Sequence, residues 1–213
     1  MAGDVESTFT GSVGRKRLKG VEVVYPIVTG TVAFFLGKKA TGTASHKWTV
    51  YVRGLKNEDL SHVIKKVTFY LHPSFNNPAR DVTESPFEVN ETGWGEFEIN
   101  IKIYFHDEAF EDPIEILHHL RLYADNDGGS TAQQSTKKPV VTESYDELVF
   151  NEPAEAFHSR WRGHDPAPAK DSQAAPFFLE FAPQQDLDKI NALRRRIAQQ
   201  KAGLLQQFEA PMS

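Results

Sequence analysis

The segment EFEINIKIYF, residues 96–105, alternates between two kinds of side chain over its whole length. Successive side chains of a strand point to opposite faces of a sheet, so a period of two predicts a strand with one buried face. The face predicted to be buried consists of Phe97, Ile99, Ile101, Ile103 and Phe105. The chain is therefore expected to contain at least one sheet that packs against a core on one side only.

Six other runs have the composition of strands, being rich in β-branched and aromatic residues and bounded by Gly, Pro, Asn or Asp. They are VEVVYPIV, TVAFFLG, HKWTVYVRG, HVIKKVTFYLH, IEILHHLRLY and YDELVF. Alternation places Trp48, Val50 and Val52 on one face of their strand, and Val67, Phe69 and Leu71 on one face of theirs. About seven or eight strands without helical patterns between them predict an all-β fold, an antiparallel sandwich of immunoglobulin-like type.

Composition divides the chain into four parts. We expect a flexible leader over residues 1–18, the β-sandwich domain over 19–160, a Pro/Ala-rich linker over 161–183 and a helix over 184–209. Within the domain, residues 124–139 lack apolar periodicity and are expected to form a long flexible loop.

The predicted C-terminal helix carries a sparse heptad pattern. Ile190, Ile197 and Leu204 recur every seven residues, and Leu193 opens a companion position that glutamines then continue. Such a seam is typical of a coiled coil. An amphipathic helix that docks on a partner protein has the same pattern, so both interpretations remain. In either case we expect Ile190, Leu193, Ile197 and Leu204 to contact the partner.

The composition excludes several classes of protein. The chain has 213 residues, no cysteine and a formal net charge of -5. The missing thiols rule out disulfides and cysteine catalysis and fit a reducing compartment. An acidic chain does not favour direct nucleic-acid binding and suits a basic peptide better.

Location is predicted from what the sequence lacks. No apolar run approaches the roughly 18 residues that cross a bilayer, and the N-terminus lacks the hydrophobic region of a secretory signal. We expect a cytoplasmic or nuclear protein. The run RKRLK, residues 15–19, is either a nuclear import signal or an ordinary solvated leader.

No catalytic, metal or cofactor site is predicted. His118 and His119 are adjacent, so they point to opposite faces of a strand and cannot chelate together. No histidine pair has a zinc-like spacing beside a third ligand. Ser74 follows His72 by two residues, but there is no GxSxG turn and no acid placed to orient the histidine.

Two loop segments stand out as a binding site. LHPSF, residues 71–75, follows a predicted strand, and TGWG, residues 92–95, precedes another. If these loops meet at one end of the sandwich, they bring together two aromatic rings, a hydroxyl and an imidazole. The alternative is that the rings belong to the core. That alternative is weaker for Trp94, because Gly93 and Gly95 give the indole no packing support.

At these residues the sequence resembles a YEATS domain. The resemblance runs from about Gly20 to Phe157, in that family's order and spacing. It is carried by HKWTVYVRG, NEDLSHVIKKVTFYLHPSF, PFEVNETGWGEFEINIKIYF and VFNEP. The NED and ETGWGEFEI segments and the C-terminal helix resemble the subgroup found in histone-acetyltransferase and variant-histone-exchange complexes. SHKWTVYVRG and KKPVVTESYDE resemble its plant members.

The resemblance implies a nuclear, non-enzymatic reader of acylated lysine on histone tails, acting as a subunit of chromatin complexes. By this likeness, Phe75 and Trp94 would sandwich the acyl group. Ser74, with His72 behind it, would accept the lysine amide N–H, and the backbone N–H of Trp94 would donate to the acyl carbonyl. Gly93 and Gly95 would keep the channel open.

Two positions depart from the family pattern. Ala44 stands where an aromatic residue or histidine often lines the pocket, and Pro73 replaces the usual acid between the histidine and the serine. We expect the first change to loosen one wall and the second to stiffen the loop.

Two other functions compete with this one. Carbohydrate-binding modules also carry exposed tryptophans on β-sandwiches, but they are usually secreted and no signal is predicted here. A scaffold is the other: the pocket would be vestigial, and the C-terminal helix would dock the partners.

Overall fold

The computed structural model describes residues 16–124, 135–162, 167–180 and 183–209. The chain divides into two compact units, Met1–Phe178 and Leu179–Ser213. The predicted leader up to residue 15 and most of the predicted loop over 124–139 lie outside the described residues. Lys16 and Leu18, at the end of the predicted leader, are already hydrogen-bonded through their backbone to Glu155 and Pro153.

The first unit is a sandwich of two four-stranded antiparallel sheets, which confirms the predicted fold class. The first sheet has the order β5-β2-β1-β8 and the second has the order β4-β3-β6-β7. The strands are β1 Glu22–Phe35, β2 His46–Gly54, β3 Ile64–Tyr70, β4 Ala79–Val82, β5 Phe87–Gly93, β6 Glu98–Phe105, β7 Ile114–His119 and β8 Val140–Asn151.

Strand β1 joins two predicted runs that are separated at Gly30, and it continues through Pro26 within the first run. Pairing with β2 begins only at Ile27, so the missing N–H of Pro26 leaves no gap on that side. Gly30 lies under the ring of Tyr51, and a Cβ there would come within 2.6 Å of the Tyr51 hydroxyl. Contacts with neighbouring strands therefore explain why one strand can contain both residues. Strands β4 and β5 fall outside the runs predicted as strands.

The core forms where the two sheets face each other. The predicted alternation is confirmed in β6, because Ile99, Ile101 and Ile103 are fully buried. Trp48 and Val50 of β2 meet them from the first sheet and are also fully buried. Burial of these apolar side chains supplies the main stabilisation of the sandwich.

A short helix, α1 (Glu155–Ser159), lies at the predicted end of the domain at residue 160, and the core continues just beyond it. Trp161 is 7% exposed, and its ring lies 4.4 Å from that of Phe157 and 5.4 Å from that of Phe150. The first residue of the predicted linker is therefore a core residue in the structure.

Residues 167–178, which we call the strap, pack along the outer face of the first sheet. The backbone N–H of Asp59 donates to Ala167 and that of Ala169 donates to Asn57, at 2.8 and 2.9 Å. Ala174 is buried, and the Phe177 ring packs edge-on against Phe34. The Pro/Ala composition predicts a linker over 161–183. The structure differs from that prediction because backbone pairing and a few apolar side chains anchor the segment.

The strap covers a buried ion pair. The guanidinium of Arg53 donates to both carboxylate oxygens of Glu143, and the two side chains are only 6% and 7% exposed. The Tyr51 hydroxyl donates to the same carboxylate at 2.7 Å. The Phe178 ring lies 4.6 Å from the Tyr51 ring and 4.7 Å from the Arg53 guanidinium. A buried charge pair needs such geometry, because a bidentate contact offsets the loss of water.

The second unit contains helix α2, Pro183–Glu209, close to the predicted 184–209. The helix prediction is confirmed, whereas pairing of this helix as a coiled coil stays a prediction. Ile190, Leu193 and Ile197 are 46%, 58% and 64% exposed. The side chain of Leu204 lies outside the described part of the chain. Over the described residues, no helix is long and apolar enough to cross a membrane.

Candidate functional site

The two loop segments singled out from the sequence meet at one end of the sandwich. They line a cavity of about 480 Å³, within the size range of ligand pockets. All six predicted site residues contribute to its wall, together with four others. The lining consists of Thr43, His72, Ser74, Phe75, Thr92, Gly93, Trp94, Gly95, Glu96 and Phe97.

The loop after β3, residues 71–78, is held closed by its own hydrogen bonds. The Leu71 N–H donates to the Pro78 carbonyl at 2.9 Å, and the Phe75 N–H donates to the His72 carbonyl at 3.0 Å. These bonds fix a compact loop that presents His72, Ser74 and Phe75 on the same side, facing the cavity.

The Ser74 hydroxyl is oriented by the His72 ring. The backbone N–H of Ser74 donates to Nδ1 of His72 at 3.2 Å, and the Ser74 Oγ lies 2.9 Å from the same nitrogen. A backbone amide can only donate, so Nδ1 acts as the acceptor and the ring proton is on Nε2. The hydroxyl then donates its proton to Nδ1 as well. Its lone pairs remain available to accept a hydrogen bond from a ligand.

Phe75 forms a wall that the core holds in place. Its ring is half-buried and packs edge-on against Trp48 at 5.9 Å and at a tilt against Phe97 at 5.7 Å. Contacts on this side restrain the ring while leaving part of it exposed to the cavity.

Trp94 is the most exposed large apolar side chain at the site, at 66%. The other two tryptophans of the chain, Trp48 and Trp161, are buried. Leaving an indole in water forgoes much of the stabilisation that its burial would supply. An exposed tryptophan at the mouth of a cavity is therefore typical of a binding surface.

The glycines on either side of Trp94 have different structural roles. A Cβ on Gly93 would lie 3.3 Å from Nε1 of Trp48 and 3.7 Å from the Phe75 ring, so glycine permits close packing there. A Cβ on Gly95 would meet nothing within 4 Å. Neither glycine has a positive φ, so backbone strain does not explain them. At Gly95 the missing side chain leaves the cavity wall open.

Three lining residues, Thr43, Glu96 and Phe97, lie outside the two predicted loop segments, and Thr92 lies inside one of them without a predicted role. The alternation places Phe97 in the core, and the structure leaves it half-buried at the cavity. Thr43 lies in the β1–β2 hairpin, next to Ala44. Ala44 was expected to form a loose wall, yet it is not in the lining and instead closes the hairpin by exchanging backbone hydrogen bonds with Thr41.

Glu96 brings a carboxylate to the cavity, but its charge is already engaged. One oxygen accepts the backbone N–H groups of Leu122 and Tyr123 at 2.7 and 3.1 Å, and the other lies 3.9 Å from Arg121. These contacts tie the turn after Trp94 to the segment after β7. Elsewhere in the described part of the chain, no group of three His, Asp or Glu side chains is placed to hold a metal ion.

The part of the chain that is similar to known proteins includes the residues that line the cavity. Residues 43–124, which include every lining residue of the cavity, match the YEATS family. Transcription initiation factor TFIID subunit 14b of Arabidopsis thaliana is 42% identical over 220 residues, covering 91% of this chain and 81% of that protein. The chain belongs to the YEATS family.

Two other similarities extend the comparison. The protein AF-9 homolog of Eremothecium gossypii is 39% identical over 206 residues, which is 93% of this chain and 97% of that protein. The crystal structure of the Yaf9 YEATS domain bound to H3K27ac is 41% identical, with a TM-score of 0.59, and covers 70% of this chain and 99% of that one. The resemblance to YEATS proteins, including a plant member, is thereby confirmed.

Proposed function

We propose that this YEATS protein reads acylated lysine on histone tails as a subunit of a chromatin-associated, transcription-related complex. The observation that carries the proposal is the exposed Trp94, which shares one cavity with Phe75 and the oriented Ser74 hydroxyl. The Yaf9 domain, 41% identical, has been crystallised with an acetylated histone H3 peptide. A relative is a subunit of TFIID. Such a function places the protein in the nucleus and assigns it binding rather than catalysis.

The chemistry of the cavity fits an acyl-amide. Acylation removes the lysine charge and leaves a flat amide with one donor and one acceptor. The Ser74 hydroxyl accepts the amide N–H, and the backbone N–H of Trp94 donates to the acyl carbonyl. With both amide groups paired, burying the amide carries little penalty. The rings of Phe75 and Trp94 pack on its two faces, adding about 0.5–1.5 kcal/mol beyond area burial.

Unmodified lysine should bind poorly because the Glu96 carboxylate is already engaged by other groups of the chain. An ammonium loses its water on entering the cavity and needs a carboxylate in compensation. Glu96 is the acidic residue of the lining, and its carboxylate already serves two backbone amides. We therefore expect the charged lysine to bind much more weakly than the acylated one.

Calorimetric titration of histone-tail peptides tests the proposal. Acetyl, crotonyl and butyryl forms should bind, and the unmodified peptide should not. The planar crotonyl group should bind more tightly than the kinked butyryl group by about 0.5–1 kcal/mol, one stacking contact. Butyryl peptides bound as tightly as crotonyl ones would contradict the two-ring slot. Binding to a glycan panel instead would support the carbohydrate-module alternative.

A scaffold function is the second candidate. The predicted contact residues Ile190, Leu193 and Ile197 of α2 are exposed in the structure, and so is Leu187. The seven-residue spacing of Ile190 and Ile197 continues to Leu204. Exposed apolar residues in register are typical of a docking surface. We propose that this surface contacts another subunit of the complex or a second copy. The two functions are compatible, because they use different units of the chain.

A further inference from the structure

The two ring-bearing walls of the cavity belong to different sheets. Phe75 lies in the loop after β3, in the second sheet, whereas Trp94 follows β5, in the first. The distance between the walls therefore depends on how the two sheets are held at this end. Their edge strands on this side are β4 and β5, which are consecutive in the chain and share no ladder of backbone hydrogen bonds.

Arg80 joins these two edges through its side chain. It stands on β4 and forms an ion pair of 2.7 Å with Glu91 of β5. The same guanidinium donates to the backbone carbonyls of Asn77 and Asn76, at 2.5 and 2.8 Å. The two partners of the ion pair are 28% and 22% exposed, so solvent screens the contact only partly.

The position of these contacts links them to the cavity. Asn76 directly follows Phe75, and Glu91 precedes Trp94 by three residues. A planar guanidinium offers five donors in a fixed fork, so it can hold two carbonyls and a carboxylate in one geometry. Arg80 thus fastens the loop that carries Phe75 to the strand that leads to Trp94.

We propose that the Arg80–Glu91 pair is a positioning clasp that sets the spacing of the two cavity walls and, through it, the selectivity among acyl groups. The second half of this statement rests on the proposed function, whereas the first half does not. Arg80 and Glu91 do not line the cavity, so they act on the ligand only through the loop and the strand that they hold.

The test uses matched glutamine variants of the full chain. Arg80→Gln and Glu91→Gln each break the clasp. The controls are Lys102→Gln and Glu115→Gln, which break another ion pair, of 2.8 Å, in which the lysine is also 28% exposed. That pair joins neighbouring strands of one sheet and does not contact the loop. If Arg80→Gln fails to fold, Arg80→Lys serves as a second variant. Its ammonium keeps the positive charge but cannot replace the fork of five donors.

The first readout is amide hydrogen exchange of the unliganded protein. Loss of the clasp should speed exchange in residues 72–77 about tenfold, since local opening reports local stability. The control variants should leave these amides unchanged. Exchange in this loop that stays at the parent rate in the Arg80 and Glu91 variants would overturn the clasp, whatever the protein binds.

The second readout is binding of crotonyl and butyryl histone peptides. The clasp variants should lose about three- to tenfold in crotonyl affinity, and the crotonyl-to-butyryl ratio should fall towards one, because a wall no longer held at one spacing tolerates thicker chains. The double variant should be little worse than Arg80→Gln alone, since Arg80 is the residue through which Glu91 is joined to the loop.

The outcomes separate the two proposals. Faster exchange with an unchanged affinity ratio would overturn the link to selectivity and leave a stabilising ion pair only. A parent protein that binds no acyl peptide would refute the proposed function, while the exchange result would still decide whether the clasp holds the loop.

Discussion

At the scale of single residues, the three tryptophans show how differently one side chain type can be used. Trp48 alternates with Val50 on a central strand and is fully buried. Trp94 has a glycine on each side and is 66% exposed. Both outcomes agree with the local sequence. Trp161 does not, because its segment has the composition of a linker and its burial depends on contacts with Phe150 and Phe157.

Trp94→Ala should abolish tight acyl-peptide binding and leave the fold intact. Loss of a central aromatic anchor costs about 2 kcal/mol or more, so affinity should fall at least roughly 30-fold. Trp48→Ala is the matched control and should lower the melting temperature sharply, since such core truncations cost about 3–5 kcal/mol. Peptide titration and thermal melting on both variants check this. If Trp94→Ala unfolds the protein or binds like the parent, the reader mechanism is wrong.

His118 is a buried histidine that should make stability depend on pH. It is 3% exposed, its Nε2 lies 3.2 Å from the Thr31 hydroxyl, and burial lowers its pKa to about 4, helped by the charge of the neighbouring His119. The adjacent histidines do point to opposite faces, since His119 is exposed. The unfolded chain binds the proton near pH 6.5, where the folded state still excludes it.

Protonation of His118 should therefore destabilise the fold as the pH falls from 6.5 towards 4. Its contribution is complete above pH 6.5, and on the order of 3 kcal/mol is lost by pH 4. Urea unfolding of the parent and of His118→Gln across this range should show the parent losing stability more steeply. His119→Gln should follow the parent. Parallel curves for the parent and His118→Gln would contradict the prediction.

At the scale of elements, the strap changes where the domain ends. It is held by backbone hydrogen bonds at its start and by Phe177 and Phe178 at its end, with the Ser172 hydroxyl donating to Glu88 between them. The Phe178 ring also covers the polar cluster around Arg53, where exclusion of water strengthens the ion pair. A segment with this many contacts belongs to the first unit, which runs to Phe178.

Phe178→Ala should therefore lower the stability of the sandwich. The ring is half-buried against Tyr51 and Arg53, so its loss should cost about 1–3 kcal/mol from apolar burial and the cation–π contact. Asp171→Ala, at an exposed position in the same strap, is the control and should change little. Thermal melting checks the pair. Equal melting temperatures would mean that the strap does not stabilise the domain.

At the scale of the whole molecule, the chain carries its two proposed binding surfaces on different units. The sandwich carries the cavity, and the helical unit carries the exposed apolar positions. The formal net charge of -5 also suits a basic histone tail as the partner of the whole chain. If the proposed function holds, the chain can be held in a complex through one unit and bind the histone tail through the other.

Ile197→Asp should abolish association through α2, because the seam would bury an unpaired charge. Analytical ultracentrifugation and co-purification with partner subunits measure this. Asn191→Asp introduces the same charge next to Ile190 but outside the seven-residue repeat, and it should have little effect. Unchanged association in Ile197→Asp would exclude the seam as the contact surface. Acyl-peptide affinity should stay at the parent value in both variants.

The sequence by itself determined the features that depend on local pattern. A period of two predicts which side chains of β2, β3 and β6 are buried, and helix α2 follows from its own composition. The loops around Ser74 and Trp94 were predicted to form a binding site on the condition that they meet at one end of the sandwich, where segments of this kind cluster. The strand alternation and the helix depend only on neighbours within a few residues along the chain.

Only the tertiary structure decided the features that depend on contacts across the chain. Gly30 lies inside a strand because the Tyr51 ring packs over it. The strap packs on Tyr51 and Arg53 through Phe178. Arg80 contacts both the loop that carries Phe75 and Glu91 of β5. Thr43 reaches the cavity from a hairpin that no local pattern connects with Trp94. In each case the partners lie far apart in sequence or in different sheets. The stabilising energy therefore comes from burial and hydrogen bonds that exist only once the two sheets have packed together.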